Sequence, residues 1–131
     1  MKYFTIKELC KSSTAAAKGI DNTPNSEVIA NLTVLVDKIL DPLRVRYGKP
    51  ITVNGGYRCP ELNKAVGGSK TSQHMTGQAA DITAGSPAQN KILFDLIQKM
   101  DLPFDQLIDE KQLRWVHVSY SPKPRKQILY L

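Results

Sequence analysis

Two histidines and one aspartate are the residues of this chain whose types and surroundings best suit metal binding. His74 and His117 are the only histidines, and Asp81 lies within the otherwise apolar run 79–82. Imidazole nitrogens and carboxylate oxygens both bind zinc, and three protein ligands with a fourth position open are typical of a catalytic zinc site. The sequence therefore predicts a Zn²⁺ site formed by His74, Asp81 and His117.

The seven-residue separation of His74 and Asp81 requires a turn between them. Extended chain advances about 3.3 Å per residue, so the two side chains would otherwise lie far apart. Gly77 permits such a turn. A buried carboxylate needs a partner, which a metal ion supplies. A salt bridge or a helix N-cap is the alternative for Asp81, and a hydrogen-bonded core position is the alternative for His117. The presence of all three residues favours the ligand set.

The pattern of apolar residues predicts an α+β domain with a mostly antiparallel sheet and helices packed on it. The clearest helix runs from Glu27 to Tyr47, with Ser26 as its cap, Pro42 as a kink or division and Gly48 at its end. Short helices are expected near residues 5–9, 12–18 and 60–66, and a longer one after Ser86. Strands are expected at residues 51–53, 79–83, 104–108 and 115–120, with an edge strand at 128–131.

The bulk composition suits one globular domain spanning residues 1–131. No apolar run approaches the roughly 18 to 20 residues that cross a bilayer, and the N-terminus lacks the apolar core of a secretory signal. The net charge of +6 comes from basic residues that are scattered along the chain. This pattern indicates a solvated surface. Binding of nucleic acid is the alternative, and net charge is the only argument for it. We expect a monomer that has no nucleic-acid or membrane partner.

Cys10 and Cys59 are the only cysteines. Their wide spacing excludes a zinc ribbon. The sequence does not decide whether they form a disulfide, and two free thiols are the default for a reducing compartment.

The metal-binding segments resemble a known family, the zinc D-alanyl-D-alanine carboxypeptidases of peptidase family M15, and in particular its small single-domain bacterial and phage branch. The resemblance extends from Phe4 to Tyr120. It implies a fold shared with the Hedgehog signalling domain, zinc held by His74, Asp81 and His117, and cleavage of peptide bonds in bacterial cell-wall peptides. The matching segments are Ile20-Asp21-Asn22-x-Pro24, Gly56-Tyr57-Arg58, Asn63, Gly67-Gly68, Ser72-x-His74-x-x-Gly77-x-Ala79-x-Asp81, Asp105-Gln106-Leu107-Ile108-x-Glu110 and Trp115-x-His117.

The same resemblance implies roles for residues around the metal. Arg58 would hold the scissile carbonyl oxygen and stabilise the oxyanion, as a fixed guanidinium can. A surface arginine after a glycine turn is the alternative. Ser72 and Gln73 would line the site and bind the substrate's backbone or termini, or would only form a turn.

The residue available as general base differs from that of the better-known members of the family. They carry an acid three positions before the last histidine, where this chain has Arg114, which cannot accept a proton at neutral pH. Glu110 is the substitute, because it matches the glutamate of the small branch. Asp109 is the fallback, and in a regular strand the two point to opposite faces. Both could instead be solvated hairpin acids.

These assignments predict a zinc peptidase in which Glu110 takes a proton from the attacking water and delivers it to the leaving amine. D-Ala-D-Ala carboxypeptidase-like and L-Ala-D-Glu endopeptidase-like activities both remain open, because loops decide between them. A non-catalytic zinc-containing cell-wall or partner-binding module is the alternative, which Arg114 favours. The localisation is unknown: the substrate would lie in the periplasm or cell wall, and a phage lysin or a non-classical export route would account for the missing signal.

Overall fold

The computed structural model describes all residues, Met1 to Leu131, and has the α+β architecture that the apolar pattern predicts. One five-stranded sheet has the strand order β1-β2-β4-β3-β5. Three of its strand pairs are antiparallel, and β5 lies parallel to β3, so the sheet is mixed. The strands are β1 (Thr52–Gly55), β2 (Ala79–Thr83), β3 (Phe104–Glu110), β4 (Trp115–Tyr120) and β5 (Gln127–Tyr130).

Six α-helices and two short helical segments of other types complete the fold. The expected edge strand at the C-terminus is present as β5, and the short N-terminal helices are found within one or two residues of their predicted bounds. The α-helices are α1 (Ile6–Cys10), α2 (Ser13–Lys18), α3 (Ser26–Leu35), α4 (Asp41–Tyr47), α5 (Pro60–Ala65) and α6 (Pro87–Lys99), with a π-helical segment at Val36–Leu40 and a 3₁₀ segment at Gln73–Thr76.

The long helix predicted from Glu27 to Tyr47 is divided, and the division involves Pro42. Proline has no backbone N–H, and its ring clashes with the carbonyl four residues earlier. Pro42 is the second residue of α4, and the turn that precedes α4 is the wider π-helical segment. The N-cap is Asn25, one residue before the predicted Ser26, because its side chain accepts a hydrogen bond from the Val28 N–H. Gly48 ends α4 with φ of 79°, as expected.

The hydrophobic core lies between the helices and one face of the sheet. It contains 24 buried residues, among them Leu35 and Ile39 from the long helical region, Leu93 from α6, and Val116 and Val118 from β4. Residues that alternate with these core positions along the strands face the other side, where the candidate site lies. Cys10 and Cys59 are free thiols. None of the helices has the length and apolar character needed to cross a membrane.

Candidate metal centre

The structure brings His74, Asp81 and His117 together. One potential ligand atom from each lies within 4.8 Å of the other two. Asp81 on β2 pairs directly with His117 on β4 in the antiparallel ladder. His74 reaches them from the 3₁₀ segment, and Gly77, with φ of 74°, makes the turn into β2 that the spacing required. The three side chains thus meet across a turn and a strand pair.

A backbone carbonyl orients the imidazole of His74. Its Nδ1 lies 2.7 Å from the Gly56 carbonyl oxygen. A carbonyl can only accept, so Nδ1 carries the proton and Nε2 presents its lone pair. Nε2 lies 3.4 Å from Asp81 Oδ2. This is the arrangement in which metal-binding histidines are usually held, with the second ring nitrogen donating to a carbonyl.

The surroundings of Asp81 and His117 fit a divalent cation. The Asp81 side chain is 20% exposed, and neither lysine nor arginine forms an ion pair with it; its partners are the two imidazoles, with His117 Nδ1 3.1 Å from Oδ1. Burial raises the pKa of Asp81, but its contacts with His117 and His74 lower it by more, so the carboxyl is ionised over the physiological range. Two imidazoles and one half-buried carboxylate form a donor set that suits zinc.

No protein group fixes the tautomer of His117 through its second ring nitrogen, because His117 Nε2 is buried and has no hydrogen-bond partner. The tautomer that carries the proton on Nε2 would leave the Nδ1 lone pair, which faces Asp81, free to bind a metal.

Arg58 lies beside the three potential ligands and is fixed by the segment that carries His74. Its backbone N–H donates to the His74 carbonyl at 3.0 Å, and its Nη2 donates to Ser72 Oγ at 3.2 Å. Ser72 Oγ also accepts from the His74 N–H, because Ser72 caps the 3₁₀ segment. Burial lowers the pKa of Arg58 and Asp81 opposes this, which leaves a cation at neutral pH. The Arg58 Nε is buried without a partner.

Asn22, to which the sequence assigned no role in the site, anchors the loop that carries Arg58. The Asn22 amide donates to the carbonyls of Cys10 and Tyr57, at 2.9 and 3.0 Å. Its oxygen accepts from the Cys59 N–H at 2.7 Å. Asn22 thus binds the chain on both sides of Arg58. The sequence placed it among turn residues and in a segment that matches the family, but did not indicate this role.

Glu110 faces the metal centre and Asp109 does not. Glu110 lines the same cavity as the three potential ligands and pairs with Trp115 in the hairpin. Asp109 is absent from that cavity, and its carboxylate accepts from the Leu113 N–H at 2.8 Å. The alternation expected along β3 therefore separates the two acids. Arg114 is exposed and lies outside the cavity.

The turn after Glu110 has an unusual backbone. Lys111, Gln112 and Leu113 all have positive φ, between 52° and 63°, although none is glycine. Asn90 of α6 holds the turn by donating to the Leu113 carbonyl at 2.9 Å. Single non-glycine residues in this region cost on the order of 1 kcal/mol, so the contacts around the turn must offset that strain.

Gln73 belongs to a polar network that the sequence did not reveal. Its Nε2 donates to Asp105 Oδ2 at 3.0 Å. Arg125 donates to Asp105 through its backbone N–H, Nε and Nη2, at 2.9, 3.0 and 2.9 Å. The Asp105 side chain is only 4% exposed, and the hydrogen bonds from Arg125 hold its pKa below the ordinary value. An acid after the buried Phe104 was the available signal, but its partner lies 20 residues away.

All the residues predicted for the site except the fallback Asp109 line one cavity of about 500 Å³. The predicted members are Arg58, Ser72, Gln73, His74, Asp81, Glu110 and His117. Hydroxyl groups, Gln106 and Arg125 add polar surface, and Ile108 and Trp115 are its apolar members. A water or a polar substrate could therefore contact the potential ligands, a cation and a carboxylate at the same time.

Most of this chain is similar to known proteins. The family model described as Peptidase M15 matches residues 2–119. A protein of Streptomyces albus G named zinc D-Ala-D-Ala carboxypeptidase is 41% identical over 85 residues, which cover 63% of this chain and 32% of that relative. The chain thus spans about a third of the length of the curated relative it matches. The resemblance inferred from the motifs is confirmed: the chain belongs to the peptidase M15 family.

Proposed function

We propose that this protein is a zinc-dependent peptidase that hydrolyses peptide bonds in bacterial cell-wall peptides. The observation that carries the proposal is the convergence of three potential ligands, one fixed arginine and one carboxylate on a single cavity. Membership of the family and the name of the Streptomyces relative support zinc as the metal and a cell-wall peptide as the substrate. Such a substrate lies outside the cytoplasmic membrane, so the protein would act in the periplasm or the cell wall.

His74, Asp81 and His117 would hold the metal. Zinc, when bound, supplies a Lewis acid that makes water a stronger acid and polarises a carbonyl group. Glu110 would accept the proton of the attacking water and return it to the amine nitrogen of the leaving group. Arg58 would donate to the carbonyl oxygen as negative charge develops on it.

Ser72 and Gln73 would position these groups and contact the substrate. The Ser72 hydroxyl accepts hydrogen bonds from the Arg58 guanidinium and from the His74 backbone N–H, so it fixes the guanidinium relative to His74. The Gln73 amide is held by Asp105. Because a carboxylate only accepts, the amide nitrogen must face Asp105, which sets the orientation of the side chain.

The decisive experiment is mass spectrometry of peptidoglycan fragments after incubation with zinc-loaded protein. New fragments should appear, chelation should abolish them and added zinc should restore them. Hydrolysis that survives thorough chelation would remove the metal from the reaction.

Glu110→Gln tests the general base. It should bind zinc normally and lose roughly 10²- to 10⁴-fold in kcat. Asp109→Asn is the matched control, because Asp109 caps the hairpin turn and faces away from the cavity. An active Glu110→Gln variant would assign proton transfer to another group.

A non-catalytic zinc-containing binding module is the second candidate. Arg114, exposed where better-known family members have an acid, favours it. Stoichiometric zinc together with no hydrolysis of any cell-wall peptide would select this candidate. Glu110 in the cavity wall favours catalysis.

A further inference from the structure

Arg125 lines the cavity of the metal centre, but neither the motifs nor the family match gives it a role. The family model ends at residue 119, before the segment that carries Arg125. Strand pairing sets its position. β5 lies parallel to β3 with Gln127 beside Gln106, so the residues just before these two, Arg125 and Asp105, lie close enough to bind each other.

One edge of the Arg125 guanidinium is held by a buried carboxylate. Nε donates to Asp105 Oδ1 at 3.0 Å and Nη2 donates to Asp105 Oδ2 at 2.9 Å, so the two planar groups form a bidentate pair. The Arg125 backbone N–H donates to Oδ1 as well. An arginine side chain that is already restrained loses less conformational entropy when it binds a ligand.

The opposite edge of the same guanidinium is free. Arginine carries five N–H donors, and those of Nη1 have no partner in the protein. The Arg125 side chain is 59% exposed, whereas that of Asp105 is only 4% exposed. The free edge is therefore open to a ligand in the cavity. Such an edge presents two parallel donors, which match the two oxygens of a second carboxylate.

Asp105 also fixes Arg125 relative to the metal centre. Asp105 Oδ2 accepts from Gln73 Nε2 as well as from Arg125, and Gln73 precedes His74 in the chain. Arg125 and Arg58 are the two arginines of this cavity, and they have different surroundings. Arg58 is held by the segment that carries His74, whereas Arg125 forms no hydrogen bond or ion pair with any of the three potential ligands. Arg125 is therefore suited to a part of the substrate other than the reacting carbonyl.

From these contacts, and resting on the proposed function for a peptide in this cavity, we infer that Arg125 is a specificity-determining residue. It binds a carboxylate of the peptide through the free edge of its guanidinium, and Asp105 is the residue that positions it. The recognised group can be the C-terminal carboxylate or an internal one, because both present the same two oxygens. A carboxamide in its place would turn N–H donors toward the donors of Arg125 and would bind less well.

The test measures the binding of three cell-wall stem pentapeptides by calorimetry. The protein is the zinc-loaded Glu110→Gln variant, so that the peptides are not cut. One peptide has all its carboxylates free, the second has an amidated C-terminus, and the third has amidated internal carboxylates. Amidation of the recognised group should raise Kd roughly five- to tenfold, and the affected peptide identifies that group. Kd values within about twofold for all three peptides would overturn the inference.

Arg125→Gln in the same background should remove the discrimination, so that all three peptides bind within about twofold of one another. The comparison is between peptides on one protein, so any loss of folded protein cancels. Arg125→Lys keeps the charge but lacks the fork, and should retain only part of the discrimination. Arg46→Gln is the matched control, because Arg46 is an exposed arginine outside this cavity, and it should discriminate as before. Undiminished discrimination by Arg125→Gln would overturn the inference.

Kinetics with Glu110 intact separate this inference from the proposed function. Arg125→Gln should raise KM for the recognised peptide roughly five- to tenfold and leave kcat within about twofold. A fall in kcat with KM unchanged would make Arg125 a structural support, which overturns the inference but not the proposed function. If no peptide is hydrolysed but binding depends on Arg125 and the carboxylate, the proposed function fails and the assignment of Arg125 stands. If no peptide binds, the assignment fails.

Discussion

Gly56→Ala should destabilise the fold and weaken metal binding together, because Gly56 touches both α1 and His74. A methyl group at Gly56 would overlap the Leu9 carbonyl oxygen and lie 3.0 Å from its carbon. Non-bonded contacts of a carbon atom normally lie at about 3.5–4.0 Å, and the overlap with the oxygen is the more severe one, so the two segments would have to separate by at least about 1 Å. The Gly56 carbonyl is also the acceptor that orients His74.

The expected magnitude combines two effects. Overpacking costs about 1–3 kcal/mol. The separation would also stretch the hydrogen bond from the Tyr57 N–H to the Leu9 carbonyl, 2.8 Å long, which is worth about 1 kcal/mol. A loss of about 2–4 kcal/mol in a chain of this size should lower Tm by roughly 8–16 °C. Displacement of the histidine's acceptor should weaken zinc binding about tenfold or more.

Thermal unfolding in the presence of chelator measures the first effect, and competition with a chromophoric chelator measures the second. Gly55→Ala is the matched control: the nearest atom to its added methyl group is Asp81 Oδ2 at 3.6 Å, which is ordinary contact. We expect this control to change neither quantity appreciably. If Gly56→Ala melts within about 2 °C of the unchanged protein, the packing argument is refuted. If it melts early but binds zinc normally, the proposed role of the Gly56 carbonyl is refuted.

Three further outcomes follow from the site. Arg58→Lys should lower kcat by roughly 10²- to 10³-fold without changing zinc affinity, because lysine lacks the guanidinium fork; unchanged kinetics would exclude Arg58 from oxyanion binding. Asp105→Asn should destabilise the protein most at neutral pH. The pKa of Asp105 is lower in the folded protein than in the unfolded chain, where it is about 3.9, so its ionised form stabilises the fold at pH values above 3.9. That stabilisation is lost as the pH falls through the pKa of the folded protein, so the urea midpoints of variant and parent should converge in acid. Zinc at 100 times its Kd should stabilise the protein by about 2.7 kcal/mol, and Asp81→Asn should greatly reduce that gain in a melting assay.

Side-chain chemistry together with a local turn residue was enough to predict that His74, Asp81 and His117 would converge. Asp81 and His117 each had a structural alternative, but the three together favoured a ligand set, and Gly77 allowed the turn that joins two of them. Alternation along β3 was sufficient to separate Glu110 from Asp109.

The supporting contacts were not predictable, because they depend on long-range packing. Asp105 meets Gln73 across 32 residues and Arg125 across 20, and neither pair has a local signature. Asn22 stood among turn residues and in a family-matching segment, but nothing local indicated that it binds the chain on both sides of Arg58. The π-helical segment before Pro42 likewise reflects how one helix adjusts to its neighbours, although a break there was expected.

The pairing of Asp81 with His117 across β2 and β4 makes metal binding a check on how the chain has folded. Side chains alternate between the faces of a sheet, so a slip of one residue between these strands would put the carboxylate and the imidazole on opposite faces. His74 and Asp81 are close in sequence and could meet early, but His117 joins them only when β4 has paired in the correct alignment. A metal ion would therefore stabilise the native alignment and none of the slipped ones, and would select against misfolded sheets as they form.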